Sequence, residues 1–87
     1  MKSFEFTVTN PVGIHARPAG DLVKFAKEFE SEITVTNQRN GKSGSAKKLF
    51  SILSAVVKCQ DTVTVTIEGP DEEKALREIR EHFAQNL

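Results

Sequence analysis

The sequence predicts an α+β fold, a two-layer sandwich in which helices cover one face of a four-stranded sheet. Three segments alternate apolar and polar residues with the period of a strand, and a fourth, small and polar segment follows a hairpin turn signal. Segments with apolar residues at helical spacing separate these strands, which gives the order β-α-β-β-α-β-α. The 87 residues, 38% of them hydrophobic, are enough for one modest core, so we expect a single domain over residues 1–87.

The first two elements are a strand and an amphipathic helix. Residues 4–9 alternate apolar and polar side chains, which predicts a half-buried strand. Residues 10–13 end it, because they include a proline without an N–H group and a glycine that permits a positive φ. Residues 16–29 carry apolar side chains at helical spacing. Pro18 is compatible with the first turn of this helix, where backbone amides have no intrahelical partner.

The middle of the chain predicts a hairpin followed by a short helix. Residues 33–36 alternate as a second strand, and Asn40–Gly41 is a strong signal for a hairpin turn. Residues 42–46 are small and polar and are interpreted as a weak third strand. Ser45 is a candidate cap for a helix over residues 47–57, whose apolar residues recur at helical spacing.

The last two elements have the clearest patterns. Residues 62–67 alternate threonine with valine or isoleucine, which predicts the best strand of the chain. Gly69 and Pro70 end that strand and precede a helix over residues 71–85. The first turn of this helix is acidic, which suits the positive end of the helix dipole.

Composition and charge limit the function. Twelve basic and twelve acidic residues give zero net charge, which argues against nucleic acid or an anionic membrane as the partner. A single cysteine, Cys59, cannot form an internal disulfide or a cysteine-based zinc site, and we expect no nucleophilic role for it. No segment has the apolar length of a signal peptide or a membrane span. We therefore expect a cytoplasmic protein without membrane insertion.

His15 has the best case for chemistry. A neutral imidazole is a nucleophile near physiological pH, and at a helix start it lies beside free N–H groups that also bind phosphate oxygens. Arg17, two residues later, offers a planar fork of donors to a phosphoryl group. These features predict a phosphoryl acceptor. The alternative is a capping or surface histidine beside an incidental arginine, and the residues by themselves favour that alternative somewhat.

No metal or cofactor site is expected elsewhere. His82, in the last helix, has no companion at ligand spacing and is interpreted as a solvent-facing residue. The middle of the chain and the first helix carry basic residues, which form either a solvated face or a basic rim around an apolar patch for acidic protein partners. These residues are Lys24, Lys27, Arg39, Lys42, Lys47 and Lys48. RNA is less favoured, because no aromatic residues alternate with these charges.

Residues Gly13–Ala19 resemble the active-site signature of HPr, the histidine-containing phosphocarrier family of the bacterial sugar phosphotransferase system. The similarity spans almost the whole chain and continues through Ser31–Thr36, Asn40–Ser43, Ser45–Phe50 and Glu68–Glu73. The resemblance implies an open-faced β-sandwich, with a four-stranded antiparallel sheet covered on one face by three helices.

The resemblance also implies a function. His15 would accept a phosphoryl group on Nδ1 from phosphorylated Enzyme I and pass it to a histidine of an Enzyme IIA domain. Arg17 would assist the transfer, and the N–H groups of Ala16 and Arg17 would bind phosphate oxygens. The expected docking residues are Gly20, Lys24, Lys48, Leu49, Phe50 and Leu53. Such a carrier is expected to be a monomer and a substrate of other proteins, not a self-sufficient enzyme.

Two departures from the family pattern keep other functions open. Lys48 stands where many members carry a regulatory serine at the start of the second helix, so serine-type regulation is not expected. The hairpin around residues 37–40 is about two residues longer than in enteric-type members, a change that loops tolerate. The chain could therefore be a regulatory paralogue, in nitrogen signalling or gene control, or a protein-binding module in which His15 is never modified.

Overall fold

A computed structural model of the protein describes residues 1–11, 13–14 and 16–87, with the main chain alone at Ala16. Val12 and His15 lie outside the described residues. The elements follow the predicted order and have these bounds: β1 Lys2–Thr7, α1 Ala16–Ala26, β2 Glu32–Asn37, β3 Ser43–Ser45, α2 Leu49–Ser54, β4 Thr62–Glu68 and α3 Glu72–Asn86.

The strands form one antiparallel sheet in the order β1-β4-β2-β3. Phe4 of β1 lies opposite Val65 of β4, and Val65 lies opposite Val35 of β2. Because side chains alternate along a strand, this register places the apolar residues of three strands on one face and the threonines on the other. The helices cover the apolar face, so the predicted open-faced α+β sandwich is confirmed.

The core lies between the sheet and the helices. Phe83 of α3 is fully buried and makes edge-to-face contacts with Phe4 and Phe6 of β1, at centroid distances of 5.7 and 5.5 Å. Gly44 of β3 allows α2 to come close, because a Cβ atom there would lie 2.0 Å from the Ser51 oxygen. Helix α2 therefore rests directly on the edge strand.

Helix α1 is shorter than predicted. It ends at Ala26, and the predicted last residues, 27–29, form a turn. The Glu28 amide donates to the Phe25 oxygen and the Phe29 amide to the Ala26 oxygen, which tightens the helix end into shorter-range hydrogen bonds. Phe29 nonetheless remains buried, as its helical spacing predicted.

The prediction that Ser45 caps the second helix is wrong. Ser45 is the last residue of β3, where it lies opposite Thr34 in the sheet, and its side-chain oxygen accepts from the Lys47 amide. Lys48 holds the N-cap position and makes no side-chain capping hydrogen bond. The helix therefore starts at Leu49, two residues later than the hydrophobic pattern predicts.

In the described part of the chain, no helix has the length and apolar character that crossing a membrane requires.

Candidate functional site

The proposed acceptor, His15, lies outside the described residues, but the structure describes the backbone on both sides of it. Helix α1 begins at Ala16, directly after the histidine, and the Arg17 side chain is exposed. Backbone amides in the first turn of a helix have no intrahelical acceptor, and they lie at the positive end of the helix dipole. The predicted phosphate donors, the amides of Ala16 and Arg17, belong to this turn.

The residues before His15 are anchored to the segment that follows α2. The Ile14 amide donates to the Val57 oxygen at 3.0 Å, and the Ile14 side chain is buried. Gly13 has a φ of +67°, and a Cβ atom there would lie only 2.3 Å from the same Val57 oxygen. Only glycine fits so close an approach with that backbone angle. The two residues that precede His15 are thus held in place by contacts with the Val57 main chain.

The beginning of the connection between β1 and α1 is held as well. The Val8 amide donates to the Asp61 oxygen at 2.9 Å. The amides of Thr9 and Asn10 both donate to the Leu87 oxygen, at 2.8 and 2.9 Å. The described residues before His15 are therefore fixed by main-chain contacts from two directions, the segment before β4 and the end of α3.

Three polar side chains hold the segment that anchors Gly13 and Ile14. Asn37, at the end of β2, donates from Nδ2 to the oxygens of Ala55 and Val56 and to Asp61 Oδ2, at 3.2, 3.3 and 3.1 Å. Arg39 donates from Nε to both carboxylate oxygens of Asp61, at 2.9 and 3.0 Å. Its Nη2 donates to the Val56 oxygen at 3.1 Å. We call Asn37, Arg39 and Asp61 the hairpin network.

The carboxylate of this network is strongly stabilised in its charged form. The hydrogen bond from Arg39, followed by one from the Lys58 amide, lowers the pKa of Asp61 from 3.8 to about 2. The Lys58 amide donates to Asp61 Oδ2 at 2.9 Å. Asp61 is only 8% exposed, so its charge is shielded from water and its partners must satisfy it.

The predicted docking residues lie on two helices that pack against each other, α1 and α2. The polar members on α1 and at the start of α2 are accessible: Lys24 and Lys48 are exposed and Gly20 is half-buried. Among the apolar members, Phe50 is 83% exposed, whereas Leu49 and Leu53 pack partly against the core. An aromatic ring this exposed on a water-facing helix is a feature of binding surfaces.

The basic rim is smaller than the sequence suggests. Arg39 is engaged by Asp61, and Lys47 donates from Nζ to the Phe29 oxygen at 2.7 Å. Both cations therefore support the fold, and four exposed members are left: Lys24, Lys27, Lys42 and Lys48. No pattern in the sequence indicates these two contacts, since each joins residues far apart in the chain.

The prediction that His82 faces solvent is wrong. Its ring stacks on Phe25 of α1, with a centroid distance of 5.0 Å and an interplanar angle of 13°, and its Nε2 atom is buried. Burial lowers the pKa of His82 and so favours the neutral ring, although the charge of Asp21 opposes this. The histidine is thus part of the contact between α1 and α3.

Within residues 1–11, 13–14 and 16–87, no cluster of three or more potential metal ligands occurs.

Sequence reasoning missed the hairpin network, although a signal for it exists. Asn37 follows Ile33 and Val35 at the spacing of the buried face of β2, and Asp61 precedes Val63 at the spacing of the buried face of β4. A polar residue at the core-facing position of a strand end requires hydrogen-bond partners. Two of them at the same end of neighbouring strands predict a shared buried network.

Comparisons with known proteins agree with the fold and the signature. A family model described as "PTS HPr component phosphorylation site" matches residues 2–85. A phosphocarrier protein HPr of Mycoplasma genitalium is 36% identical over 86 residues, which cover 99% of this chain and 97% of the relative. The structure of "HPr-C-His" from Thermoanaerobacter tengcongensis superposes with a TM-score of 0.90 at 32% identity, over 99% of this chain and 94% of that one. An HPr dimer from the same organism matches with a TM-score of 0.74 at 33% identity, over 98% and 95% of the two chains.

Proposed function

Since the chain belongs to the HPr family, we propose that it is a phosphoryl carrier of the phosphotransferase system, with His15 as the acceptor. The donor is the phosphorylated histidine of Enzyme I, and the recipient is a histidine of an Enzyme IIA-type protein. The lone pair on Nδ1 of the neutral His15 ring attacks phosphorus. The new N–P bond forms as the bond to the donor nitrogen breaks, and the donor imidazole leaves with that electron pair.

One observation carries this proposal beyond family membership. The described backbone around His15 enters a helix immediately after the histidine and is fixed by main-chain contacts immediately before it. Such an arrangement supports a role for the first-turn amides of Ala16 and Arg17, and for the exposed Arg17 guanidinium, as donors to an incoming phosphoryl group. These groups are N–H donors, which suit the oxygens of the phosphoryl group during its transfer. Arg17 is proposed as the clamp on those oxygens.

The exposed surface of α1 and α2 is the proposed docking site for both partners. Phe50 supplies an apolar anchor, and Lys24 and Lys48 supply a basic rim that suits acidic partners. A carrier must dock and leave quickly, so a small interface of this kind suits the function.

The proposal treats residues 1–87 as one domain, monomeric and cytoplasmic, that serves other proteins as substrate and donor. Light scattering of the purified protein tests the monomer.

The decisive experiment is phosphorylation in solution. The protein is incubated with Enzyme I and radiolabelled phosphoenolpyruvate, and acid-labile, base-stable phosphate is measured. Wild type is expected to take up one equivalent, and His15→Ala none. His82→Ala is the matched control, since it removes the other histidine of the chain and should leave labelling intact. Label on His15→Ala equal to wild type would refute the site, and an unlabelled wild type would favour a protein-binding module.

A regulatory paralogue is the second candidate, favoured by Lys48 at the N-cap of α2. The chemistry at His15 would be the same, but its donor would be an Enzyme I of a regulatory branch. Phosphorylation rates with a sugar-branch and a nitrogen-branch Enzyme I, compared at equal concentrations, separate the two. A kcat/KM at least ten-fold higher with the sugar-branch enzyme supports the carrier of sugar uptake, and the reverse supports the paralogue.

A further inference from the structure

The last two described residues before His15, Gly13 and Ile14, contact one short segment that has no regular secondary structure. Residues 55–58 follow α2 and lead to β4, and the Val57 oxygen in this segment accepts from the Ile14 amide. The same segment sets the position of Gly13, which has no room for a Cβ atom against Val57 and Lys58. Any shift of this segment therefore moves the residues that lead directly into the histidine.

The segment does not hold itself in place. Val56 has a φ of +50°, a left-handed conformation that is unfavourable for a β-branched residue. Such a conformation persists only where surrounding contacts impose it. The Val56 amide donates to the Leu53 oxygen of α2 at 3.1 Å, and the Val56 oxygen accepts from Asn37 Nδ2 and Arg39 Nη2. Asp61 adds the bond from the Lys58 amide at the other end of the segment.

The hairpin network combines buried polar side chains with the planar guanidinium of Arg39. Asn37 is fully buried, and Asp61 is nearly so. The Arg39 guanidinium spans Asp61 and the Val56 oxygen with a planar group, so it sets both a distance and an angle. Asn40, the next residue of the hairpin, adds a bond from Nδ2 to the Ala55 oxygen at 3.0 Å. Loss of one member leaves buried polar partners unsatisfied, which favours a rearrangement of the segment.

We propose that Asn37, Arg39 and Asp61 are positioning residues for phosphoryl transfer at His15. They fix the position of residues 55–58. These residues contact Gly13 and Ile14, which lead directly into His15. The inference deepens the proposed function and rests on it. It assigns a role to three residues, two at the hairpin between β2 and β3 and one directly before β4, that belong neither to the proposed acceptor site nor to the proposed docking surface. Reacting groups that are misplaced by about 1 Å can lose about a hundred-fold in rate, so a partial displacement is expected to cost about ten-fold.

The test compares Asp61→Asn with a matched control, Asp71→Asn. Asp71 also accepts from backbone amides, those of Glu30 and Ser31, and from the Ser31 hydroxyl. The hydroxyl bond from Ser31 is the main cause that lowers the pKa of Asp71. The two aspartates flank opposite ends of β4, roughly 20 Å apart for a strand of this length. The same change at Asp71 thus perturbs the fold without touching residues 55–58.

Two readouts are measured at a temperature where circular dichroism shows every variant to be folded. The first is hydrogen exchange of the Ile14 amide, which reports its bond to Val57 and does not depend on phosphorylation. The second is single-turnover transfer from phosphorylated Enzyme I, with the rate constant at saturation separated from the half-saturating concentration. Arg39→Ala serves as the second variant, because it removes the bonds to Asp61 and to the Val56 oxygen while the Asp61 carboxylate stays in place.

For Asp61→Asn and Arg39→Ala we expect faster Ile14 exchange and a saturating rate constant about ten-fold lower. The half-saturating concentration should change less than two-fold, since the docking surface is untouched. Asp71→Asn should match wild type in both readouts. If all three variants slow transfer equally, or if Arg39→Ala and Asp61→Asn leave Ile14 exchange unchanged, the positioning role is refuted. A wild type that accepts no phosphoryl group overturns the proposed function and this inference with it, whatever the exchange data show.

Discussion

At the scale of single residues, Val56 holds a backbone angle that costs free energy. Its φ of +50° is left-handed, which for a residue with a Cβ atom costs about 1–2 kcal/mol relative to the usual regions. Glycine has no such cost. We therefore expect Val56→Gly to unfold with a free energy about 1 kcal/mol higher than Val56→Ala, as measured by urea denaturation.

Alanine is the right reference for this substitution. Val56 is 43% exposed, so both replacements remove a similar and modest apolar contact, and only the Cβ atom differs between them. Glycine also increases the entropy of the unfolded chain, which works against the expected gain. An alanine variant as stable as the glycine variant, or more so, would show that the left-handed conformation costs no more than the entropy that glycine adds to the unfolded chain, against our expectation.

Asp61 should make stability depend on pH in a defined window. The unfolded carboxyl group titrates near 3.8, and the Arg39 bond lowers the folded pKa to about 2. Because the folded pKa is the lower one, the charged group stabilises the fold fully above about pH 4 and loses this contribution as the pH falls towards 2. The difference in unfolding free energy between wild type and Asp61→Asn should therefore be constant from pH 5 to 7 and shrink below about pH 4.

The comparison with Asp61→Asn isolates this one group. Asp71 and Glu72 also have lowered pKa values, from hydrogen bonds of the Ser31 hydroxyl and the N-terminal amino group, so acid weakens the fold at several sites. Those sites are common to both proteins and cancel in the difference. A difference that stays constant down to pH 2.5 would mean that Asp61 does not titrate as the ion pair requires.

At the scale of elements, α2 combines a structural face and an exposed face in six residues. Ile52 is buried, whereas Phe50 is exposed. Truncation of an exposed aromatic that binds a partner commonly costs more than 1 kcal/mol of binding energy. We expect Phe50→Ala to raise the KM for transfer from Enzyme I about ten-fold, with kcat unchanged. Its unfolding free energy should stay within about 0.5 kcal/mol of wild type, because little buried area is lost.

Leu53→Ala provides the contrast on the same helix. Leu53 packs partly against the core, so its truncation should lower both stability and docking, and thermal unfolding followed by the transfer assay measures the two effects. If Phe50→Ala instead leaves KM unchanged, the exposed ring is not part of the docking surface.

Periodicity predicted most of the elements, because long amphipathic segments follow from burial of one face. Strands β1 and β4 and helix α3 lie within two residues of the predicted bounds. The prediction is poorest at α2, where Ser45 has the chemistry of a cap but is used by the sheet through its pairing with Thr34. A tertiary pairing overrides the local capping preference there, and no local pattern contains that information.

At the scale of the whole molecule, the sequence alone leads to the proposed acceptor, but of the hairpin network it indicates only that Asn37 and Asp61 are buried polar residues, not which partners they contact. The signature around His15 is contiguous, so it can be recognised without a structure. The hairpin network joins residues 37–39 to residues 55–61, and its partners are mostly backbone oxygens. Every residue type has a backbone oxygen, so the sequence does not show which ones are used. Likewise, the engagement of Arg39 and Lys47 appears only once the fold brings Asp61 and the Phe29 oxygen to them. Long-range contacts of this kind have to be observed.

The charge of the molecule provides the last prediction. The net charge is zero, so any dependence of docking on ionic strength must come from local arrangement. Exposed Lys24 and Lys48 lie on the proposed docking surface, and salt screens such rim charges. The KM for Enzyme I should therefore rise with salt. The double variant Lys24→Gln, Lys48→Gln should raise KM about three- to ten-fold at low salt and flatten the salt dependence.

The control removes two positive charges elsewhere. Lys74 and Arg80 are exposed on α3, so Lys74→Gln, Arg80→Gln changes the net charge by the same amount while leaving α1 and α2 intact. Steady-state transfer at 20 to 300 mM salt measures both pairs. If the pairs behave alike, only the overall charge matters, and the basic rim has no specific role. If only the α1 and α2 pair responds, a protein of zero net charge attracts acidic partners through the proposed docking surface, because a local field falls off within about 10 Å at 0.1 M salt.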